Sequence, residues 1–409
     1  MRQVSQHIIA KGDPRYTVID AAAFASKNLY NQATYQIRQA YLHEGKYLPY
    51  AEIFHRVKHL ECYQALPRKV SNSILIQIDK NWKSFRESLK EWYEHPEKFR
   101  GKPKIPGYKH KEHGRFLLIY DIQAIGKRAY KKTGKIVPSG LGIEIETQVP
   151  WEAIDQVRIV PRRDFYVVEV VYQKEAQPAA VDPSLVAALD PGVNVLAAIT
   201  SNKPGFVPRL VSGKPIKSRN QYYNKQREHY QKQLAEYQRF TSRKLDQVTT
   251  KRNRRIAHYL HTASRRIIDL LVEEGIGTLI IGKNRYWKQE VEMGKKNNQQ
   301  FVQIPHARFI EMLTYKGALV GIQVITHEES YTSKASFLDL DPLPAYGPSR
   351  EESPIFSGRR SGRWYYASGE RVLHSDVNGS YNILRKVAPT AFDGLGVGGA
   401  AVRPRRLAV

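Results

Sequence analysis

Residues 186–200 read VAALDPGVNVLAAIT and hold the clearest fold signal of the chain. VAALD (186–190) and VLAAIT (195–200) are short apolar runs typical of buried strands, and the Pro-Gly pair between them indicates a turn. Asp190 closes the first run. The stretch therefore predicts two buried strands, with a carboxylate at the end of the first.

Helices and strands alternate downstream of this stretch. A polar and then amphipathic pattern predicts a long helical region at 219–274, which Gly275 and Gly277 end. The later predicted elements are a buried strand at 278–281, a helix from Pro305 through Ala318, a strand at 320–326, a loop-rich insert at about 331–372 and a helix opening at Asp376. This order favours an α/β domain.

The first 180 residues carry a different pattern. Apolar residues at three- and four-residue spacing predict helices at 21–41 and 67–93. A basic Pro/Gly-rich loop at 101–114 precedes strand-like segments, the first of which is FLLIYDIQAI (116–125). We therefore predict a helical region and a β-rich region, followed by a linker at 174–184.

The net charge is +26, from 65 Lys and Arg against 39 Asp and Glu. Eleven Lys or Arg face two acids between residues 100 and 135, and fifteen face three between 214 and 266. Tyrosines are interleaved with the second stretch, at Tyr222, Tyr223, Tyr230 and Tyr237. Cations for phosphates beside rings for stacking indicate a nucleic-acid groove. A solvated basic helix face is the alternative for either stretch alone.

Composition excludes several classes of protein. A hydrophobic content of 41% excludes wholesale disorder. Cys62 is the only cysteine, which excludes a disulfide framework and a multi-cysteine zinc or iron–sulfur site. No apolar run approaches the roughly 20 residues that span a bilayer, and the N-terminus has no signal-peptide pattern. We expect an intracellular protein without a membrane partner.

Carboxylates stand at the ends of the predicted buried elements. Asp190 ends one strand, Glu328 and Glu329 follow another, and Asp376 opens the last helix. Acids that meet at one sheet edge suit Mg²⁺, and two such ions support phosphodiester hydrolysis. Each acid has a simpler alternative, since Asp190 could form a turn, the glutamates could be solvated, and Asp376 could cap its helix.

Longer segments carry a family resemblance, from about residue 20 to 388 and in order. They are QALPRKVSNSILIQIDKNWKSF, KFRGKPKIPGYK, ALDPGVNVLAAITSN, GKNRYWKQEVEMGKKNNQQFVQIPHARFIEML, EESYTSKASFLD and SDVNGSYNILRK. The chain resembles the transposon-encoded TnpB (OrfB) family, relatives of type V CRISPR effectors. The resemblance implies an Mg²⁺-dependent, RNA-guided DNA endonuclease with a guide RNA from the transposon end and one protein per RNA. Target DNA would be opened beside a short transposon-adjacent motif and read by base pairing, in a prokaryotic cytoplasm and at the nucleoid.

The resemblance also implies a multidomain α/β fold with a RuvC-like (RNase H-like) nuclease domain. The implied parts are a β-barrel wedge domain at 1–20 and 100–180, an inserted helical recognition domain at 21–99, the RuvC-like domain at 185–330 and 373–388, and a target-nucleic-acid-binding insert at 331–372. The Gly/Pro/Arg-rich composition of the C-terminus predicts a mobile tail at 389–409.

The family motifs assign the candidate catalytic residues. Asp190 and Asp376 match the first and last RuvC aspartates, in D-x-G and D-x-N-G settings. Gly282 stands where the family's usual glutamate ends its strand. Glu329 fits a displaced position for that glutamate, and Glu328 is the reserve candidate. The resemblance therefore implies that Asp190, Glu329 and Asp376 hold Mg²⁺, as two ions.

Other residues receive weaker assignments. A zinc ribbon in the family begins C-x-x-C, but Ser336 and Asp339 fall at that spacing here, so we predict a zinc-free insert. Its packing is assigned to aromatic residues, namely Phe337, Tyr346, Phe356, Trp364, Tyr365 and Tyr366. The candidates for nucleic-acid contacts are Lys102, Lys104, Lys109, Lys111, Arg252, Arg254 and Arg255, each with a solvated surface as its alternative.

Two other functions stay open at this point. Gly282 leaves room for a nuclease-dead, RNA-guided DNA-binding repressor. Acidic triads on RNase H-like folds also catalyse strand transfer, which leaves a transposase that acts directly on the element ends.

Overall fold

The computed structural model describes residues 1–283, 302–344, 354–392 and 402–409. They form two compact units, Met1–Lys174 and Glu175–Val409. The division falls at the start of the stretch 174–184. None of the helices in the described ranges is long and apolar enough to cross a bilayer.

The first unit combines helices with antiparallel strands. In chain order it contains β1 (Arg2–Ala10), α1 (Tyr16–His43), α2 (Tyr50–Val57), α3 (Glu61–Gln64), α4 (Arg68–Glu94), β2 (Leu118–Asp121), α5 (Lys127–Thr133), β3 (Lys135–Ile136), β4 (Ile145–Glu146), β5 (Ile154–Pro161) and β6 (Phe165–Gln173). Four strands form a sheet in the order β1-β6-β5-β2, and β3 pairs with β4 in a separate ribbon.

One hydrophobic core joins the helices of this unit to its sheet. Trp82 on α4 and Tyr120 on β2 are both fully buried in it. The carboxylate of Asp20 on α1 pairs with Arg115 at 2.7 Å and accepts a hydrogen bond from the Tyr166 hydroxyl at 2.7 Å. The predicted helical and β-rich regions therefore fold as one compact unit.

Two predicted boundaries in this unit are wrong. α1 begins at Tyr16 and not at residue 21, because Ile19 is buried in the core and packing overrides the weak helix propensity of a β-branched run. The strand predicted at 116–125 ends at Asp121, whose carboxylate accepts a hydrogen bond from the Ala124 amide at 2.9 Å and starts a short 3₁₀ turn.

The second unit is an α/β domain. In chain order it contains β7 (Asp182–Asp190), β8 (Val195–Ser201), β9 (Arg209–Ser212), α6 (Lys214–Glu236), α7 (Arg243–Glu273), β10 (Ile276–Gly282), α8 (His306–Leu319), β11 (Gln323–His327), β12 (Arg359–Ser361), β13 (Trp364–Tyr366), β14 (Val372–His374), α9 (Ser375–Val387) and β15 (Arg405–Arg406). Its main sheet has the order β11-β10-β7-β8-β9-β15. β10 is parallel to both β7 and β11, whereas β8 is antiparallel to β7.

Helices cover both faces of this sheet. Leu189 and Leu279 belong to a core cluster shared with α7 and α8, whereas Ala188 and Ile280 belong to a second cluster shared with α9. Neighbouring residues on one strand thus face opposite sides, as the two-residue period of a strand requires. The apolar runs seen in the sequence are therefore strands buried on both faces.

Three predictions for the second unit need correction. The helical region 219–274 is two helices, and Ser242 caps the second by accepting a hydrogen bond from the Leu245 amide at 3.2 Å. The loop-rich insert contains a three-stranded sheet, β12-β13-β14. The end of the predicted tail contains a strand, because β15 pairs in parallel with β9.

Candidate active site

Three parallel strands bring Asp190 and Glu329 to one edge of the sheet. Asp190 is the last residue of β7, and Gly282 is the last of β10. Ile281 pairs with Leu189, and Gly282 pairs with His327 at the end of β11. The carboxyl ends of parallel strands are where α/β folds place their sites.

The carboxylate of Glu329 fills the space above Gly282. A Cβ atom built on Gly282 would lie 2.2 Å from Glu329 Oε2 and 2.6 Å from Ile383 Cδ1. A larger residue therefore cannot occupy position 282 while Glu329 keeps this conformation. Glu329 thus places its carboxylate where a side chain on β10 would otherwise lie.

The helix α9 reaches Asp190 through a glycine. A Cβ on Gly379 would lie 2.6 Å from Asp190 Oδ2. The Ser380 hydroxyl donates to the Ala188 carbonyl at 3.0 Å and lies 2.9 Å from the Thr200 hydroxyl. Sequence reasoning missed Gly379 and Ser380 as positioning residues, although the D-x-N-G motif that includes Gly379 was the available signal.

Asp376 lies in the first turn of α9 and is not its cap. His374 is the N-cap, and its Nδ1 accepts a hydrogen bond from the Asp376 amide at 3.3 Å. This leaves the Asp376 carboxylate free of the capping role proposed as its alternative. Arg360 on β12, which sequence reasoning also missed, donates to Asp376 Oδ1 at 3.1 Å.

The electrostatics of this edge centre on Asp190. Burial, followed by the charge of Asp376, raises the pKa of Asp190 to about 7, and Arg360 opposes the rise. Burial, followed by the charge of Asp190, raises the pKa of Glu329 well above its usual value. The carboxylate of Asp190 is thus repelled by that of Asp376 and in turn repels that of Glu329. A positive charge at this edge would therefore be stabilising.

The residues present fit a divalent cation that prefers oxygen ligands. Three carboxylates supply hard oxygen donors without thiolate or imidazole, and their mutual repulsion is what a cation relieves. Within the described ranges, no three His, Cys, Asp or Glu side chains are already gathered closely enough to hold a metal ion. Asp376 instead points to Arg360.

Glu328 has a different environment from Glu329. Its carboxylate pairs with Lys386 on α9 and accepts a hydrogen bond from the Ser330 amide at 2.6 Å. Burial raises its pKa, but the hydrogen bonds from Lys386 and Ser330 prevail and hold the pKa below its usual value. Glu328 is thus engaged in tying β11 to α9.

Two family models match mainly this domain, and a curated relative matches most of the chain. A family described as "Probable transposase" (OrfB_IS605) matches residues 169–288, and a family described as "Cas12f1-like, TNB domain" matches residues 306–383. A curated relative, the TnpB-like protein ORF457 of Acidianus two-tailed virus, is 23% identical over 398 residues, covering 88% of this chain and 81% of the relative. The chain is a TnpB-family relative of type V effectors.

Two solved structures align with most of this chain. A Cas12f1–sgRNA–target DNA complex aligns with a TM-score of 0.53 at 13% identity, covering 90% of this chain and 82% of that chain. The mini-RNA-guided endonuclease CRISPR-Cas_phi3 aligns with a TM-score of 0.46 at 10% identity, covering 99% of this chain and 94% of that chain. The first likeness establishes a shared multidomain α/β fold.

The insert of this TnpB relative is organised around Asp339. Its carboxylate accepts hydrogen bonds from the Ser336 hydroxyl at 2.6 Å and the Ser368 amide at 3.0 Å, and it pairs with Arg371. Ser336-x-x-Asp339 and Ser368-x-x-Arg371 thus bring four side chains together from two short loops. Hydrogen bonds and an ion pair thus connect the residues at the positions that correspond to the zinc ligands of the family.

The aromatic packing predicted for the insert is only partly right. Phe337 and Tyr365 are fully buried, and Phe356 is half-buried. Trp364 (51%) and Tyr366 (41%) are exposed, and Tyr346 lies outside the described residues. The exposed rings lie on the outer face of the small sheet. Sequence composition could not separate the two faces of strands only three residues long.

Asp339→Asn should loosen the insert, because the amide lacks the negative charge that pairs with Arg371 and accepts hydrogen bonds from Ser336, Ser357 and Ser368. Hydrogen bonds to charged groups contribute about 1.5–3 kcal/mol each, so we expect at least about 2 kcal/mol of local destabilisation. Limited proteolysis of the insert measures it, with the exposed neighbour Glu370→Gln as the control. Equal cleavage rates in Asp339→Asn and the unmodified protein would contradict the role of Asp339.

The candidate lysines of the first unit lie on a loop pinned to α1. Tyr30 and Asn31 donate to the carbonyls of Gly107 and Lys109 at 3.1 and 2.9 Å, and the buried Lys27 ammonium donates to the Lys111 carbonyl at 2.6 Å. The exposed candidates are Lys102, Lys104, Lys109 and Lys111. Backbone anchoring thus presents an ordered row of cations.

The three candidate arginines on α7 differ in their surroundings. Arg252 is half-buried and donates to Asn220 Oδ1 at 2.8 Å and to the Gln303 carbonyl at 3.0 Å. These bonds hold α6 beside α7, and the assignment of Arg252 to a nucleic-acid contact stays a prediction. Arg254 and Arg255 are exposed. Arg255 lines the groove between the two helices, as Arg252 does.

Proposed function

We propose that this chain is an RNA-guided DNA endonuclease encoded by an insertion sequence, which cleaves target DNA by Mg²⁺-dependent phosphodiester hydrolysis. At the level of the family, TnpB and Cas12-like proteins are transposon-associated RNA-guided nucleases. The observation that carries the proposal is the Glu329 carboxylate above Gly282, beside Asp190. It supplies the third acid at the position where β10 lacks one.

In this proposal Asp190, Glu329 and Asp376 hold the metal. Two Mg²⁺ ions at such a carboxylate edge would supply activation of the attacking water and stabilisation of the leaving 3′ oxygen. Asp190 is central because it interacts electrostatically with both other acids. Gly379 leaves room for the carboxylate of Asp190, and Gly282 leaves room for that of Glu329. The Ser380 hydroxyl joins α9 to β7 through the Ala188 carbonyl.

The partners in this proposal are a guide RNA from the transposon end and target DNA, double-stranded and then single-stranded, beside a transposon-adjacent motif. A surplus of 26 positive charges supports a ribonucleoprotein, because phosphates neutralise the self-repulsion of the chain. The pinned loop with Lys102 and Lys109 is a surface for backbone phosphates, and we propose one protein per RNA.

Arg360→Gln should tighten Mg²⁺ binding, because the guanidinium that pairs with Asp376 competes with a cation for the same oxygens. A half-exposed ion pair contributes roughly 0.2–1 kcal/mol, so the affinity should rise about 1.5- to 5-fold. Thermal shift during Mg²⁺ titration of the full chain measures it. Arg359→Gln, an exposed neighbour on β12, is the control; weaker binding in Arg360→Gln would show that the arginine supports the site.

The proposed function is tested by expressing the gene with its flanking DNA, sequencing the RNA that co-purifies and assaying cleavage of a matching plasmid with Mg²⁺ or with EDTA. Guided cutting that needs Mg²⁺ is the expected result. Bound RNA with guided binding but no cutting would instead indicate the repressor.

A transposase remains the second candidate, since the family that matches residues 169–288 is described as "Probable transposase". Strand transfer of labelled element ends, without added RNA, would favour it. RNA-dependent cutting without strand transfer would exclude it.

A further inference from the structure

A groove between α6 and α7 has no role in the proposed catalytic chemistry. The pairs Asn220–Arg252 and Tyr223–Thr249 join the helices at 2.8 and 3.2 Å, so the helices run side by side in opposite directions. The groove has a volume of about 730 Å³. It is lined from α6 by Arg219, Tyr222, Tyr223, Gln226 and Tyr230, and from α7 by Lys244, Gln247, Val248, Lys251, Arg252 and Arg255.

The two stripes have three- and four-residue spacing, so each is one face of its helix. Paired helices usually bury apolar stripes against each other, yet these facing stripes carry five cations. Among the described residues that line the groove, none is acidic. Like charges facing each other across a groove repel, so a polyanion between them stabilises the arrangement.

The tyrosines point to the kind of polyanion. Tyr222 is 64% exposed. Tyr230 lies about two helical turns further along the same face and is half-buried. Tyr223 is held in place by the Arg252 guanidinium, 5.4 Å from its ring centre, and by the Thr249 hydroxyl. Exposed rings among cations suit nucleobases, whereas an acidic peptide would use the cations alone.

We propose that this groove binds an unpaired stretch of nucleic acid. Bases stack on Tyr222 and Tyr230, and backbone phosphates contact Arg219, Lys251 and Arg255. A base inside a duplex could not reach these rings, so the ligand is single-stranded. The inference rests on the proposed function only in taking nucleic acid as the partner, because the groove shares no residue with the carboxylate edge.

The test uses the full chain freed of nucleic acid and fluorescent ten-residue probes, measured by anisotropy. The probes are oligo-U, oligo-dT, an abasic DNA of equal length and a DNA duplex. We expect base-containing strands to bind about 10- to 100-fold more tightly than the abasic strand. The Tyr222→Ala/Tyr230→Ala variant should lose this difference and keep its dependence on salt.

The Lys251→Ala/Arg255→Ala variant should weaken binding to all probes. It should also lower the slope of log affinity against log salt by about 0.7 for each phosphate that the variant no longer neutralises. The controls are Tyr35→Ala and Lys46→Ala, which change an exposed tyrosine and an exposed lysine outside the groove lining and outside both basic stretches. Both controls should bind like the unmodified protein, and thermal melts should show that all variants fold.

The comparison of oligo-U with oligo-dT identifies the source of the strand. Tighter oligo-U indicates RNA, through the 2′-hydroxyl; tighter oligo-dT indicates displaced DNA. Equal binding of the abasic strand, equal competition by the duplex or poly-glutamate, or an unchanged affinity in the tyrosine variant would overturn the inference. Guided cleavage is assayed separately. Tyrosine-dependent binding without guided cleavage would support the groove and contradict the proposed nuclease. Guided cleavage without tyrosine-dependent binding would support the nuclease and contradict the groove.

Discussion

Asp190→Asn abolishes guided cleavage while RNA binding is retained, if Asp190 holds the metal. The amide keeps the shape of the side chain next to Gly379 but removes the charge that a cation needs. Metal activation contributes several kcal/mol, and each 1.36 kcal/mol is tenfold in rate, so we expect a loss of roughly a thousandfold or more. Plasmid cleavage and the yield of co-purified RNA measure the two quantities side by side.

The same variant should stabilise the metal-free fold. Burial and the nearby Asp376 raise the pKa of Asp190 to about 7. The stability linked to its protonation is present at low pH and is lost as the pH rises through that value. At pH 8 in EDTA, Asp190→Asn should therefore melt at a higher temperature than the unmodified chain.

Asp182→Asn is the matched control, because Asp182 lies at the opposite, exposed end of the same strand and its carboxylate accepts a hydrogen bond from the Ser184 amide at 2.8 Å. It should leave both cleavage and RNA binding unchanged. Loss of RNA binding in Asp190→Asn would show that this residue supports the fold or the RNA site, and the metal assignment would then be wrong.

Moving the glutamate back to β10 should restore part of the activity lost when it is removed. Glu329→Gly alone should lower cleavage about as much as Asp190→Asn. Gly282→Glu alone should also fail, because its Cβ would lie 2.2 Å from Glu329 Oε2. In the double variant a single glutamate, now on β10, fills the space that the Glu329 side chain has left. We expect its cleavage rate to be at least about tenfold above that of either single variant. Plasmid cleavage by the four proteins measures it.

Two further variants make this exchange specific. Ile383→Val, added to the double variant, removes the Cδ1 atom that lies 2.6 Å from the new Cβ and should improve the rescue. Gly282→Glu with Glu328→Gly should not rescue, because Glu329 still fills the space. If Glu328→Gln abolishes cleavage and Glu329→Gln does not, the catalytic role passes to Glu328.

The choice between the two glutamates illustrates where sequence reasoning stops. Glu328 and Glu329 are neighbours after the same strand, and either fits the spacing of a displaced acid. In the folded chain Lys386, 58 residues away, binds Glu328, while Glu329 is directed at Gly282. A long-range contact thus separates two residues that local pattern treats alike.

Arg360 and Asp339 show the same limit. Nothing in the sequence around Arg360 indicates that its guanidinium pairs with Asp376. The strand β12 has only three residues, which is too short to show a hydrophobic period. Asp339 is recognisable in sequence only as a residue at an expected spacing. Its partners Ser368 and Arg371 lie about 30 residues later, in the turn between β13 and β14. Only the folded insert brings this turn close to Asp339.

The sequence by itself determined the two strands around Asp190, the long helix α4, the basic nucleic-acid character and the TnpB-type motifs, because hydrophobic period and composition are local properties. Tertiary structure alone decided which glutamate faces Gly282, which arginine meets Asp376, and that the cationic stripes of α6 and α7 face each other. These depend on strand register and helix contacts between distant residues, which no local pattern encodes.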